Sequence, residues 1–327
     1  MDEPNVRLAE LLAPWIELFD KYFADEPVHS RPMSVAMMLV KEGAVTPSST
    51  DGRHYLEQEW FGAIVQTTTN WYLARYGRDL LRVPESTVSA AVLIYGSIFQ
   101  VLVPTNPTTP GPRPGTVTLH FTSTLLPDED PHLWVINPPN LSNMEEPQAS
   151  MLRADLFKIC NKTRSIINGL AGADLAKDSL KPMAAAITTH IGNAVSSFCD
   201  GREAAKQLAI WDLHLAVEKT LKVFLLHKGV SPPNIHDLAD LEVRAREWSL
   251  LTPLEDLVSA LPTGRDAVKY RYGELPVPAV GTFYEWYETA LEVIDHLVNQ
   301  LARGFFADHA SITIQALPWH PSRRKDH

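Results

Sequence analysis

The chain has 327 residues, too many for one ordinary core, and its 45% hydrophobic and 21% charged content is that of a packed globular protein. No apolar run approaches the roughly 18 residues of a membrane span, and "MDEPNVRLAE" has neither the basic start nor the apolar core of a secretory leader, so no membrane role is expected. The net charge of −10 is unevenly shared: residues 1–150 hold 9 Lys and Arg against 18 Asp and Glu, and residues 151–327 hold 20 against 21. An acidic first half repels phosphate, which excludes the wrapping of long nucleic acid and confines any such contact to the second half.

The first segment places Leu8, Leu11, Trp15, Leu18 and Tyr22 at three-four spacing, which predicts an amphipathic helix with that stripe inward. "EWFGAIVQTTTNWYLARYGRDLL" predicts a second helix in spite of its threonine run. The period then changes. "STVSAAVLIYGSIFQVLV" is β-branched and apolar, with Gly96 at an expected kink or bulge. "TVTLHFTSTL" alternates, with Val117, Leu119 and Phe121 on one face and Thr118, His120 and Thr122 on the other. The two are joined by "PTNPTTPGPRPG", a loop with five prolines, and "HLWVI" is a third strand candidate.

After about residue 150 no strand pattern remains. Met183, Ile187, Ile191, Ala194 and Phe198 form one helical stripe, which Asp200-Gly201 ends. Residues 202–228 form the longest helix, with Ile210, Leu213, Val217, Leu221 and Phe224 inward, closed by Gly229 and Pro232-Pro233. Thr252 to Glu255 and Thr282 to Glu285 read as capping boxes opening two more helices. The second carries the stripe Tyr284, Tyr287, Leu291, Ile294, Leu297 and Leu301. The expected fold class is α+β. Residues 1–150 form an α+β domain with a small antiparallel sheet, residues 151–310 an all-α bundle of four or five helices, and residues 311–327 a tail.

The stretch "AVEKTLKVFLLHKGVSPPNIHDLADL" and the later "RDAVKYRYGE" resemble the HEPN (higher eukaryotes and prokaryotes nucleotide-binding) domain, over roughly residues 180–303. Ala216, Glu218, Lys219, Leu221, Lys222, Leu225 and Leu226 match its second long helix. His236, Asp237, Leu238 and Leu241 match its "HDL" element, and Arg265, Asp266, Ala267, Tyr270 and Arg271 look like its arginine-rich tip. The resemblance implies a helical bundle and a homodimer, which in members that cut RNA brings two copies of the catalytic motif together.

The residues are informative apart from that resemblance. Glu218 and Lys222 are an i,i+4 pair beside the buried stripe, placed either on a helix shoulder or to brace "HDL" and the tip. Asp237 suits a helix start through the dipole, and His236 can satisfy a free amide there. Arg265, Lys269 and Arg271 with Tyr270 and Tyr272 combine phosphate-binding cations with stacking rings, the composition of a contact for a nucleotide or the end of a short RNA.

Members of the resembled family that cut RNA without metal use an Arg and a His with four to six residues between them, His as general base and Arg against the phosphate charge. Neither Arg265 nor Arg271 has such a His. Arg303 and His309, beyond the last long helix, are the candidate displaced pair; Arg113 and His120 match the spacing at a strand entrance. His214 and Glu218 lack a third metal ligand nearby, Cys160 and Cys199 suit a reducing cytoplasm, and no nucleotide or hydrolase motif is present, so neither metal nor cofactor is expected. The leading expectation is a cytoplasmic, non-catalytic HEPN-like protein that binds a nucleotide, short RNA or protein partner. The alternatives are a metal-independent endoribonuclease of the bacterial toxin or defence kind using Arg303 and His309, and a structural subunit.

Overall fold

The computed structural model describes residues 3–45, 58–77, 80, 87–113, 116–175, 180–248, 252–303 and 310–315. In chain order they form α1 (Glu3–Tyr22), α2 (Arg31–Lys41), α3 (Glu59–Tyr76), β1 (Thr87–Ile94), β2 (Ser97–Pro104), β3 (Thr108–Pro110), β4 (Thr116–Phe121), a 3-10 turn (Pro131–Trp134), α4 (Glu146–Gly172), α5 (Leu180–Cys199), α6 (Glu203–His227), α7 (Leu238–Glu247), α8 (Glu255–Ser259), α9 (Gly264–Arg271), α10 (Val280–Val298) and β5 (Ala310–Gln315). The class is α+β. Two compact units interleave along the chain instead of dividing at residue 150. One comprises Met1–Ser86, Pro107–His120 and Ser311–His327; the other comprises Thr87–Asn106 and Phe121–Ala310.

In the first unit α1, α2 and α3 enclose a core of Leu12, Ile16, Phe19, Val35, Leu39, Phe61, Ile64 and Tyr72. α1 therefore turns a different face inward from the one its spacing predicts. Leu11, Trp15, Leu18 and Tyr22 are 65, 43, 55 and 72% exposed, while Leu12, Ile16 and Phe19 are buried. α1 is apolar on two faces, and periodicity alone selects the wrong one. Behind the buried face Asp20 accepts hydrogen bonds from Tyr72 (2.8 Å), Tyr76 (2.5 Å) and Arg31 (3.1 Å). Burial raises the Asp20 carboxyl, but those three donors and the Arg31 charge outweigh it and hold it below the ordinary value. The threonine run of α3 is accommodated because Thr67 and Thr68 donate to the carbonyls of Ala63 and Ile64, each at 2.8 Å. β3, β4 and β5 form a three-stranded sheet with β4 central. The segment expected as a proline-rich loop thus supplies one strand, and the expected tail begins as another.

In the second unit β1 and β2 form an antiparallel hairpin in register from Thr87 opposite Pro104 to Ile94 opposite Ser97. Tyr95 and Gly96 connect them at φ of 49° and 73°, the left-handed pair that a two-residue hairpin turn requires. Gly96 is a turn residue, not a kink within one strand. The hairpin packs on α4, α5 and α10, and the Tyr287 hydroxyl accepts from the Ala91 amide at 3.0 Å, covering one strand edge. On the other edge the Gln100 carbonyl accepts from the Ile136 amide at 2.8 Å. "HLWVI" is not a strand: Asp130 caps the His132 amide at 3.0 Å and Pro131 starts a 3-10 turn, leaving only an isolated bridge between Val135 and Val101.

Among the described residues four long helices (α4, α5, α6 and α10) and three short ones make up the bundle. α6 lies at its centre, with Ile210, Leu213, Val217, Leu221 and Phe224 all buried, as their spacing predicts. α5 and α10 also bury their expected stripes, apart from half-buried Met183, and Phe198 stacks on Phe283 at 3.8 Å. The two capping boxes do not form. α10 begins at Val280 with Thr282 already inside it, and α8 begins only at Glu255 because the Leu254 amide is held by the buried Glu242 carboxylate at 3.0 Å. Arg164, fully buried on α4, ties down the chain after β4. It donates to both carboxylate oxygens of Glu129 (2.5 Å each), to Pro104 O (2.8 Å) and to Thr124 O (3.3 Å), and it lies over Trp134. No described helix is long and apolar enough to cross a membrane.

Candidate functional site

The site is built on α6, the start of α7 and α9. One face of α6 carries Trp211, His214, Glu218 and Lys222 at three-four spacing, alongside the apolar stripe that anchors the helix. Glu218 is 4% exposed. Its carboxylate accepts from the Lys222 ammonium at 2.7 Å and pairs with His236 Nδ1 at 2.8 Å. Burial pushes the Glu218 carboxyl up, but hydrogen bonds from Lys222 and His236, and their charges, hold it below the ordinary value. An ionised carboxylate in a bundle interior requires such partners, so the middle of α6 is polar in order to hold the chain that enters α7.

That chain is fixed at three further points. His214, also buried, places Nε2 2.8 Å from the His236 carbonyl and donates to it. Burial lowers the His214 pKa, opposed by the His236 carbonyl, by Glu218 and by the Pro262 backbone. Asp237 caps α7 by accepting from the Asp240 amide at 3.0 Å, as its place at a helix start predicts. Gly264, the first residue of α9, lies so close that a Cβ there would stand 2.6 Å from the His236 carbonyl oxygen. Only glycine permits this approach of two backbones. Thr263 caps α9 through the Asp266 amide at 3.2 Å.

The starts of α7 and α9 are thus held against each other, and between them lies an open cleft of about 510 Å³ lined by His236, Asp237, Gly264, Arg265, Val268, Lys269 and Glu274. Arg265 and Lys269 are one turn apart on α9 and bring two cations to it. Lys269 lies 3.8 Å from Asp266. The Arg271 guanidinium lies 5.1 Å from the Trp211 ring centroid and 5.6 Å from that of Tyr272. Trp211 in turn stacks on His214 at 6.0 Å and 9°, and its ring is 5.9 Å from that of His236. The result is a ladder Tyr272–Arg271–Trp211–His214, linked through His236 to the cleft, whose lining sets Arg265 and Lys269 beside Asp237 and Glu274.

The structure therefore brings together Glu218, Lys222, His236, Asp237, Arg265 and Lys269, with Arg271 on the adjoining ladder. Tyr270 is directed elsewhere: it meets Trp286 of α10 edge-on at 6.2 Å, and burial, with Asp266 nearby, raises its pKa. Tyr272, 67% exposed, is the tip tyrosine open to a ligand. Trp211, Gly264 and Glu274 do not stand out in the sequence reading. The signal for Trp211 is its position three residues before His214 on the polar stripe. The Arg303 guanidinium donates to the Asn168 and Gly169 carbonyls at 3.1 and 3.0 Å and to Asn299 at 3.0 Å, covering the carbonyl end of α4. His309 lies outside the described residues. His120 bonds Thr109 at 2.8 Å, a contact within the small sheet. No group of three or more His, Cys, Asp or Glu side chains suited to a metal occurs among the described residues. No family model, curated protein or solved structure matches the chain.

Proposed function

We propose that this chain is a cytoplasmic, HEPN-like binding protein whose α6–α7–α9 cleft takes a small nucleotide or the phosphorylated end of a short RNA without cleaving it. One observation carries the reading: two cations on α9, Arg265 and Lys269, lie beside a ring-and-guanidinium ladder built by half-buried Trp211 and exposed Arg271 and Tyr272. A nucleotide presents phosphate and base a few ångströms apart, and this surface offers a contact of the appropriate chemistry for each. The resemblance of residues 180–303 to HEPN domains supports the same site. The rigid seating of His236 and Asp237 by Glu218 and His214 supports it too, because a prearranged cleft loses less entropy on binding. The absence of a His five to seven positions after Arg265 or Arg271 favours binding over cleavage.

The test is an equilibrium titration with AMP and with a 5′-phosphorylated tetranucleotide RNA in EDTA. Saturable binding is expected, with the RNA recovered intact. Arg265→Ala is expected to weaken it by about tenfold to a hundredfold, the loss of one charge-assisted contact of roughly 1.5–3 kcal/mol. Absence of binding at millimolar ligand, or binding unaffected by both Arg265→Ala and Arg271→Ala, overturns the proposal.

A further inference from the structure

The first unit carries a second surface, independent of the cleft. Leu11, Trp15, Leu18 and Tyr22 run along α1 at four-three-four spacing and are 65, 43, 55 and 72% exposed. Scattered apolar residues on a surface need no explanation, but four large ones in a continuous helical seam do. At the end of that seam the Tyr22 ring meets Phe23 edge-on at 5.1 Å. Phe23 opens onto a groove of about 610 Å³ formed with Glu26, Ser34, Met37, Met38, Val40 and Lys41. A ridge of apolar knobs therefore adjoins an apolar hollow on one surface.

We propose that this surface pairs with the same surface of a second copy of the chain, the α1 ridge of each seated against the Phe23–Met38 groove of the other. A two-fold contact needs one patch that holds both halves of the fit, so that residue i meets j and j meets i. Ridge and groove side by side meet that requirement. Methionines line the groove, and their flexible side chains adapt to an incoming helix. The exposed part of the four ridge side chains amounts to on the order of 400 Å². With both ridges and both grooves covered the interface reaches roughly 1,000 Å², the lower end of specific association. The dimer is correspondingly weak, with a Kd of about 1–100 μM.

Sedimentation velocity on the full chain from about 1 to 500 μM tests this, because a weak dimer declares itself only through concentration. Wild type is expected to pass from monomer to dimer across that range. Leu18→Glu on the ridge and Met38→Glu in the groove are each expected to weaken association at least tenfold. Leu18→Gln, which adds no charge, is expected to weaken it less. The Leu18 site is exposed, so its variants keep the wild-type circular dichroism and melting temperature, and Tyr272→Ala in the cleft leaves the dimer unchanged. A wild type that stays monomeric to the top of the range overturns the proposal and points to α1 being covered within its own chain. A dimer that survives both the ridge and the groove substitutions overturns it equally.

Discussion

Replacing Glu218 with Ala removes the residue that ties the candidate site to the bundle core. The carboxylate is 4% exposed and holds Lys222 at 2.7 Å and His236 at 2.8 Å. Removing one partner of a buried pair costs about 3–5 kcal/mol, because the other charge is left unpaired. Lys222, with 12% of its side chain exposed, can turn its ammonium toward water, which favours the lower figure. For a unit of about 200 residues, roughly 3 kcal/mol corresponds to a melting temperature lower by about 6–12 °C. Glu218→Gln keeps the shape and one acceptor and is expected to lose about half as much. The Glu218 carboxyl titrates lower in the folded than in the unfolded chain. Its contribution is therefore complete above the ordinary carboxylate value near about 4.3 and is lost as pH falls through the depressed folded value. Thermal melts of wild type and Glu218→Ala should differ fully at neutral pH and converge in acid. A Glu218→Ala protein that melts within about 2 °C of wild type at pH 7 would refute the reasoning.

Two further perturbations read other parts of the structure. Arg164→Met strands the Glu129 carboxylate, so a loss of about 3–5 kcal/mol is expected in urea denaturation, with partial recovery in the Arg164→Met, Glu129→Gln double variant. Gly264→Ala brings a methyl group 2.6 Å from the His236 carbonyl, so about 1–3 kcal/mol of stability should be lost. The same change should weaken nucleotide binding, because the backbone that carries His236 and Asp237 must move away; unchanged stability and binding would show that the two helix starts are not held in contact.

The bundle was legible because α5 and α10 each bury one face, and a period of 3.6 survives in the sequence when one face meets the core; α6 is buried around most of its circumference, so its expected stripe is only part of what it buries. α1 was misread for the same physical reason: Leu11, Trp15, Leu18 and Tyr22 repeat as regularly as Leu12, Ile16 and Phe19, and only tertiary contacts choose between them. The hairpin hid behind a continuous apolar run, since strands covered on both sides lose their alternation and Tyr95-Gly96 is a less familiar turn pair than Asn-Gly. Two helices carry no expectation in the sequence: α2, whose "RPMSVAMMLVK" is too short for a convincing period, and α4, which at 27 residues is longer than α6 at 25, the segment expected to be the longest helix. The candidate site was half legible. Glu218, Lys222, His236 and Asp237 stood out as polar residues among apolar ones. Gly264 acts through a backbone approach that leaves no mark in the residue pattern, and Trp211 is marked only by its place three residues before His214.

Photo-cross-linking of a short 5′-phosphorylated RNA carrying 4-thiouridine at its first position, followed by peptide mapping, tests the central claim most directly. The account predicts adducts on the peptides holding Trp211 and Tyr272, competed by AMP and reduced in Arg265→Ala. Adducts confined to other peptides, or insensitive to AMP, would contradict it.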